Sequence, residues 1–399
     1  MGRRRKRGGC LKVLTFVLVV ITGLGVLLWS QNISWDNVEW KEVLSGKEAI
    51  PFSENTIAEE TLTNQYYYNQ LQEEEKTVYK EILQGVQEQE SEIYLHTSDA
   101  QCAGDIYQMV LYDSPELFWC SGEANTTAFE TYAVFCPVYA YSKDGRAAAQ
   151  ASIDQAVAVC MEGVDSNAAA YDKIKYAYEY IVNTTDYDAA APDNQNICSV
   201  FVNKASVCAG YSKAMQYLMR QWGIGCIYVT GLDMDGEAHA WNIVNCDGVY
   251  CHVDVTWGDP VFMAQEEETV QPSSNINYDY LCCTDEEISK THTVDAELVL
   301  PECHSMDYNY YILNGQYYDY VDEEEIMGAM NNTIYEGGEQ TAFKFANDNL
   351  YQQAHDLILN NLVGRALQNL MSNYGLNQAT YLYMDDDVTN KIIIIWNYQ

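Results

Sequence analysis

Positive charge is scarce in this sequence. Of its 399 residues, 21 are lysine or arginine and 58 are aspartate or glutamate, so the formal net charge at pH 7 is −37. Six of the basic residues and none of the acidic ones precede residue 30, which makes the rest of the chain more acidic still. Because nucleic acid is bound through clusters of lysine and arginine, it is excluded as a partner of this acidic part. A cationic substrate is favoured electrostatically, although solubility is the simpler role of so acidic a surface.

The sequence also lacks a complete metal-binding motif. The stretch DMDGE at 233–237 is similar to the start of a calcium-binding loop, but Val244 occupies the position that requires a bidentate glutamate. Cys246, Cys251 and His252 have no fourth ligand at the spacing of a zinc site. We therefore expect neither a metal nor another cofactor.

The first 30 residues combine a basic tail with an uncharged run. Residues 1–12 carry the six basic side chains, and residues 13–30 carry no charge. At about 1.5 Å per residue, a helix of this length can cross a bilayer. A cleaved signal peptide normally ends in small residues, whereas this run ends in Leu27, Leu28 and Trp29. We expect a single-pass signal anchor at 13–30, with a cytoplasmic tail and the bulk of the chain at the extracellular cell surface. A cleaved signal is the alternative, and it leaves the compartment unchanged.

The chain is too long for one ordinary hydrophobic core, and its pattern changes along its length. Polar residues without strong periodicity predict a stalk at 31–60. Alternating helix and strand patterns predict a small α+β domain at 61–165 and another at 306–399. Neither contains a cluster of catalytic side chains, so we interpret both as support or substrate-selecting domains. The catalytic candidates lie between them, at 166–305.

One of the thirteen cysteines stands at the start of a predicted helix. Tyr211, Met215 and Leu218 form an apolar stripe and Ser206 is a candidate cap, so Cys208 falls in the first turn. There the free backbone N–H groups and the positive end of the helix dipole stabilise a thiolate, and they can also contact an oxyanion. The other cysteines beyond the anchor are expected to be structural, with disulfides compatible with their compartment but not defined by their spacing.

A predicted β-hairpin supplies partners for this thiol. The stretch HAWNIVNCDGVYCHVDVTW alternates in polarity around residues 245–248. A four-residue loop there places His239 directly opposite Asp254, whereas a two-residue Asp247-Gly248 loop makes them diagonal neighbours on the same face. Both registers join an imidazole that can take the thiol proton to a carboxylate that can orient it.

Two alternatives compete with this assignment. His252 shares the face of His239 and is the rival base, but it lies only two residues from Asp254 on the same strand. A cysteine, a histidine and an aspartate in this order are also more often structural than catalytic when no motif supports them. The surrounding motifs favour catalysis.

These motifs together resemble the core of the transglutaminase-like superfamily, in particular its secreted or membrane-anchored bacterial members. The similar stretches are GYSKAMQYLMRQWGI after Cys208, VTG at 229–231, HAWNIV at 239–244 and YCHVDVTWGDP at 250–260. The similarity extends to YDKIKYAYEYIVNTTDYD at 171–188 and to YLCCTDEEISKTH at 280–292.

The resemblance implies an α+β fold with a papain-like (transglutaminase-like) cysteine-protease core, flanked by the two small α+β domains. It further implies a catalytic triad of Cys208 as nucleophile, His239 as general base and acid, and Asp254 as orienting carboxylate. Trp241 and Trp257 match family positions and are expected to frame the cleft. The calcium-binding loops of animal transglutaminases are not evident, so we expect no calcium switch.

The implied chemistry is extracellular acyl transfer on a peptide or amide through a thioester on Cys208. We expect a transglutaminase-like cysteine peptidase that hydrolyses a cell-surface peptide or protein substrate, with the membrane as its other partner. Two functions stay open beside it. One is a protein-crosslinking or deamidating transglutaminase, and the other is a non-catalytic cell-surface binding module with the same fold.

Overall fold

The computed structural model describes residues 50–259 and 276–398. The α-helices are α1 (Glu73–Glu88), α2 (Ala100–Asp113), α3 (Lys143–Glu162), α4 (Ala170–Thr184), α5 (Cys208–Gln221), α6 (Asp285–Ile288), α7 (Tyr310–Leu313), α8 (Glu323–Tyr335), α9 (Asp348–Leu357) and α10 (Val363–Tyr374). The strands are β1 (Ile93–Leu95), β2 (Cys120–Ala128), β3 (Ala133–Tyr139), β4 (Asp186–Tyr187), β5 (Ala205–Ser206), β6 (Cys226–Asp233), β7 (Ala238–Cys246), β8 (Val249–Val253), β9 (Leu281–Cys283), β10 (His292–Val294), β11 (Tyr317–Tyr318), β12 (Gln340–Phe345), β13 (Thr380–Asp386) and β14 (Lys391–Asn397).

The strands form mostly antiparallel sheets. A three-stranded sheet has the order β1-β3-β2, a five-stranded central sheet has the order β10-β6-β7-β8-β9, and a four-stranded sheet has the order β11-β12-β14-β13. The short strands β4 and β5 pair in parallel just before α5. Helices packed on largely antiparallel sheets make an α+β architecture, which agrees with the predicted class.

Two large hydrophobic cores lie within the described residues. The larger contains residues from Leu62 to Cys282 and joins α1 and α2 to α5 and the central sheet. The second contains residues from Tyr318 to Trp396, between the four-stranded sheet and its helices. The described residues from Phe52 onward form one compact unit, and the domain boundaries at 165 and 305 stay predictions.

The predicted anchor at 13–30 lies outside the described residues, as does most of the predicted stalk at 31–60. Across residues 50–259 and 276–398, no helix is both long enough and apolar enough to span a membrane. The anchor, and the cell-surface location that depends on it, therefore stay predictions.

Candidate active site

Helix α5 begins at Cys208, where the sequence predicts its first turn. Val207, the residue before it, is extended with φ −120° and ψ 178°, so the backbone turns into the helix at the cysteine. Tyr211, Met215 and Leu218 are fully buried and fix the helix in the larger core. Cys208 itself is half-buried and lies at the end of the helix where the backbone N–H groups are unpaired.

Ser206 does not cap α5, which corrects the sequence prediction. Its hydroxyl lies 2.6 Å from Oγ of Ser199 and donates to the carbonyl oxygen of Asn194 at 3.1 Å, beneath the start of the helix. Gly210 packs directly on this group, since a Cβ at that position would lie 2.0 Å from Oγ of Ser206. The first turn of α5 therefore packs on the hydroxyl groups of Ser199 and Ser206.

The β7–β8 hairpin brings His239 and Asp254 together. It is closed by the two-residue turn of Asp247 and Gly248, whose φ angles are 52° and 92°, so the structure has the diagonal register of the two considered. Nε2 of His239 lies 2.7 Å from Oδ2 of Asp254. His239 is 6% exposed and Asp254 is fully buried, so little water weakens this contact.

The surroundings of His239 favour its protonated form. Burial by itself lowers the pKa of His239, but the charge and hydrogen bond of Asp254, together with a hydrogen-bonding contact to the Cys208 side chain, raise it well above its ordinary value. Because Nε2 faces Asp254, Nδ1 is the ring nitrogen left for the thiol. A proton can therefore pass between Cys208 and His239 while Asp254 holds the ring.

Asp254 is held as a carboxylate by four hydrogen bonds. Its Oδ1 accepts the backbone N–H groups of Thr256 at 2.8 Å and Trp257 at 3.2 Å, and its Oδ2 faces two imidazoles. Burial opposes the charge, but the charge and hydrogen bond of His239, and then the hydrogen bond of His292, hold the pKa of Asp254 well below its usual range. The orienting group thus stays ionised although it is fully buried.

The second imidazole belongs to His292, which the sequence motifs do not identify as a site residue. His292 begins β10, an edge strand paired with β6, and its Nε2 lies 2.9 Å from Oδ2 of Asp254. Sequence periodicity relates only residues that are near one another in the chain, so it does not predict the contact between His292 and Asp254. A weak signal was present, because His292 ends the stretch YLCCTDEEISKTH that resembles the segment closing the superfamily core.

Trp241 and Trp257 both lie beside His239. Trp241 is fully buried, and its ring is nearly parallel to that of His239 with the centroids 6.0 Å apart. Trp257 meets His239 edge-on at 6.3 Å and lies 4.9 Å from the ring of His292. The indoles restrict the movement of both imidazoles. Their role in framing a substrate cleft stays a prediction.

His252, the rival base, has different partners. Its Nδ1 lies 3.0 Å from Nε1 of Trp241, and its Nε2 lies 2.9 Å from Oδ1 of Asp285. Since an indole N–H can only donate, Nδ1 of His252 accepts and the ring proton sits on Nε2. Both ring nitrogens of His252 are occupied, whereas the pKa of His239 is raised by the Cys208 side chain.

Within residues 50–259 and 276–398, two groups of side chains have ligand atoms close enough together to surround a metal ion. They are His239, Asp254 and His292, and His252, Asp285 and Cys303. In the first group, both imidazoles are already at hydrogen-bond distance from one carboxylate oxygen. In the second, the proton on Nε2 of His252 takes the lone pair that a metal would need. Both groups are therefore better described as hydrogen-bonded arrangements than as metal sites.

Cys208 differs from other cysteines in its surroundings. The twelve described cysteines are all free thiols. Burial raises the pKa of Cys198 to about 11 and those of Cys120 and Cys160 to about 12, which keeps these thiols protonated near neutral pH. Cys208 instead combines partial exposure and a helix N-terminus with a neighbouring imidazole.

In a papain-like α+β core, a helix that begins with the cysteine is expected to pack on an antiparallel sheet. That sheet is expected to carry a histidine hydrogen-bonded to an aspartate. Residues 155–255 match the family model of the transglutaminase-like superfamily, and this segment is a domain of that superfamily. The matched segment includes Cys208, His239 and Asp254. No curated protein matches the chain.

Two solved structures are similar to parts of the chain. A TGase is 14% identical over 46% of this chain and 53% of its own, with a TM-score of 0.26. A candidate cysteine protease from Cytophaga hutchinsonii is 11% identical over 47% of this chain and 80% of its own, with a TM-score of 0.25. The chain spans about half the length of the TGase. At such low identities and TM-scores, neither structure indicates the activity of this chain.

Proposed function

We propose that the chain is an extracellular, thiol-dependent acyltransferase that acts on peptide or amide substrates through a thioester on Cys208. The observations that best support this are a half-buried cysteine at a helix N-terminus, whose side chain raises the pKa of His239, and the 2.7 Å distance between Nε2 of His239 and Oδ2 of Asp254. The three groups supply the nucleophile, the base and the orienting carboxylate that acyl transfer from an amide requires. A purely structural cysteine needs none of these connections.

In the first step, the proton of Cys208 lies on Nδ1 of His239, and the thiolate Sγ bonds to the carbonyl carbon of the substrate. The carbonyl oxygen becomes an oxyanion, and the unpaired N–H groups at the start of α5 are the nearby donors. As the C–N bond breaks, His239 gives its proton to the leaving nitrogen. The products are a free amine and a thioester on Cys208.

Water completes the reaction in the proposed hydrolase. His239 takes a proton from the water as its oxygen bonds to the thioester carbon, and that proton then returns to the sulfur as the C–S bond breaks. A carboxylic acid leaves and the thiol is restored. We propose water as the acceptor because it needs no binding site of its own. An amine in its place gives crosslinking, and water acting on a glutamine side chain gives deamidation.

The proposed substrate is a peptide or protein at the cell surface. This location rests on the predicted anchor at 13–30, which would place the rest of the chain outside the membrane. A net charge of −37 favours substrates that carry cationic segments, because anionic ones are repelled.

Alkylation of the full chain by iodoacetamide near neutral pH tests the candidate nucleophile. Peptide mapping by mass spectrometry should find Cys208 modified ahead of the buried thiols. In His239→Ala the rate should fall at least about tenfold, because the thiol loses the base that stabilises its ionised form. His355→Ala is the matched control, since His355 contacts Asp385 near the four-stranded sheet, and it should react like the wild type. An inert Cys208 in the wild type would contradict the proposal.

A second experiment identifies the acceptor. The chain is incubated with glutamine-containing peptides and a primary amine in ¹⁸O-labelled water, with Cys208→Ala as control. The label in a new carboxyl terminus supports peptide hydrolysis, and the label in a glutamine side chain supports deamidation. The mass of the amine in a peptide supports crosslinking. Binding of peptides without any change in mass supports the binding module instead.

A further inference from the structure

His292 is a buried imidazole that the proposed reaction does not use. It is 4% exposed, and its Nε2 lies 2.9 Å from Oδ2 of Asp254, the same oxygen that Nε2 of His239 approaches to 2.7 Å. The two rings lie 5.0 Å apart at their centroids with an interplanar angle of 55°. One carboxylate oxygen therefore serves two imidazoles at once.

The other nitrogen of His292 is also occupied. Its Nδ1 lies 2.8 Å from Oγ1 of Thr291, and that hydroxyl lies 3.2 Å from the hydroxyl of Tyr280. A neutral imidazole carries one N–H, and the carboxylate of Asp254 requires it on Nε2. Thr291 then donates to Nδ1 of His292, and Tyr280 donates to Thr291. With His292 uncharged, every polar atom in the hydrogen-bonded series Asp254, His292, Thr291 and Tyr280 has a partner.

Among the described residues, Asp279, Asp386 and Cys283 act electrostatically on Tyr280 at the far end of these hydrogen bonds. Against His292 lie His239, Asp254 and Tyr280, together with Trp241 and Trp257, which do not titrate. Burial raises the pKa of Tyr280 well above its ordinary value, so its hydroxyl stays uncharged near neutral pH.

Among the described residues, titratable groups of other elements also face Asp254 and His239. Burial, and then the charge of Asp254 among others, raises the pKa of the Tyr178 and Tyr187 phenols. The Cys208 side chain raises the pKa of His239. With the tyrosines uncharged, two imidazolium ions would share a single buried carboxylate, which would leave an unpaired positive charge out of contact with water.

We infer that His292 is a positioning residue of the proposed acyl-transfer site, a neutral imidazole that shares Oδ2 of Asp254 with His239 and so limits how strongly the carboxylate stabilises the His239 imidazolium. The N–H groups of His239 and His292 compete for Oδ2 of Asp254. The hydrogen bond from each imidazole weakens the attraction of this oxygen for the other imidazole. A histidine bound less tightly as imidazolium gives its proton more readily to the leaving amine. This inference rests on the proposed function, in which His239 acts as that acid.

The test is the protonation state of His239, followed by NMR in the full chain labelled with ¹⁵N-histidine. His292→Leu removes the N–H donor at similar volume, whereas His292→Gln can keep an amide N–H near the position of Nε2. We expect His239 to lose its proton at a pH about one unit higher in His292→Leu than in the wild type, and close to the wild-type pH in His292→Gln. The same titration in both variants and the wild type would overturn the inference.

Two further measurements test the inference if the His292→Leu variant fails to fold. The wild-type spectrum should show His292 as the neutral Nε2–H tautomer at pH 7, and an imidazolium or an Nδ1–H tautomer there would overturn the inference. Thr291→Val removes the hydroxyl partner of Nδ1 while keeping its shape, so His292 becomes a weaker donor. The deprotonation of His239 should then shift in the same direction by less than in His292→Leu, and a shift to lower pH would contradict the sharing of Asp254.

The inference and the proposed function can fail separately. A shifted His239 titration with an inert Cys208 would overturn the proposed function and leave the shared carboxylate established. A reactive Cys208 with an unchanged His239 titration in His292→Leu would overturn the inference alone. A merely structural role for His292 would lower the stability of the variant without moving the titration.

Discussion

At the residue scale, Asp254 is the residue of the candidate site that is hydrogen-bonded to both His239 and His292. Replacing it with asparagine keeps the shape of the side chain and removes the charge that raises the pKa of His239. We expect Asp254→Asn to lower turnover by about 10⁴-fold, the order found when an orienting carboxylate is lost. The pH at which His239 loses its proton should also fall. Steady-state kinetics and histidine NMR measure the two effects.

Folding of the Asp254→Asn variant is checked by circular dichroism, because the fully buried carboxylate also accepts two backbone N–H groups. Activity within tenfold of the wild type in a folded variant would remove Asp254 from the proposed triad.

The sequence predicts three residues of the site, and it contains only a weak signal for the fourth, His292. Cys208 was placed at a helix start by the apolar stripe behind it, and His239 and Asp254 were placed on one face in either hairpin register. These positions depend on local patterns, which the periodicity of the sequence can predict. His292 reaches Asp254 only through the pairing of β10 with β6, and a three-residue edge strand has too little periodicity to predict that pairing.

At the element scale, the start of α5 depends on the close approach of Gly210 to the residues beneath it. A Cβ at Gly210 would lie 2.0 Å from Oγ of Ser206 and 2.8 Å from the carbonyl oxygen of Asn194. We expect Gly210→Ala to displace the first turn, to lower the free energy of unfolding by about 1–3 kcal/mol and to slow alkylation of Cys208. Urea denaturation and peptide mapping measure these changes.

Gly364→Ala is the matched control for this prediction. Gly364 lies in α10, and a Cβ there would meet no atom within 4 Å, so alanine should raise stability by up to about 1 kcal/mol. If both substitutions stabilise the chain equally, the packing of α5 on Ser206 is not as tight as the structure shows.

The elements also show where the sequence left a choice open. Alternation predicted the β7–β8 hairpin but allowed two loop lengths. The structure has the two-residue turn, because Asp247 and Gly248 both adopt the positive φ that such a turn requires. The predicted cap at Ser206 was wrong, since its hydroxyl is bound by Ser199 and Asn194 and lies under the helix.

At the scale of the whole molecule, a buried ion cluster ties the four-stranded sheet to the candidate site. Asp279 accepts from Lys344 at 2.6 Å and also from Lys391, and these lysines lie on β12 and β14. The next residue, Tyr280, accepts the backbone N–H of Asp254 at 2.9 Å through its carbonyl oxygen. The C-terminal region therefore fixes the segment that holds the orienting carboxylate.

Breaking this cluster should destabilise the chain. Asp279→Asn leaves two buried ammonium groups without their carboxylate, and we expect the free energy of unfolding to fall by about 3–5 kcal/mol. Glu323→Gln, which breaks a half-exposed pair with Arg365, is the control and should cost less than about 1 kcal/mol. Urea denaturation at pH 7 compares them, and equal effects of the two substitutions would contradict the structural role of the cluster.

The same cluster predicts a pH dependence. Burial opposes the charge of Asp279, but Lys344 and Lys391 hold its pKa well below the usual range. A carboxyl with a lowered pKa in the folded chain stabilises that state above its unfolded value of about 3.9, and the effect is lost as the pH falls further. The stability difference between wild type and Asp279→Asn should therefore be constant from pH 7 to about pH 5 and shrink below pH 4.

The central claim, that Cys208 carries the acyl group, is tested most directly by trapping the thioester. A simple activated ester such as p-nitrophenyl acetate needs no knowledge of the natural substrate. We predict a burst of nitrophenolate and an acetyl group on Cys208, found by peptide mapping and removed by hydroxylamine, with no burst in Cys208→Ala. An acetyl group on other residues alone, or an equal burst in Cys208→Ala, would contradict the claim.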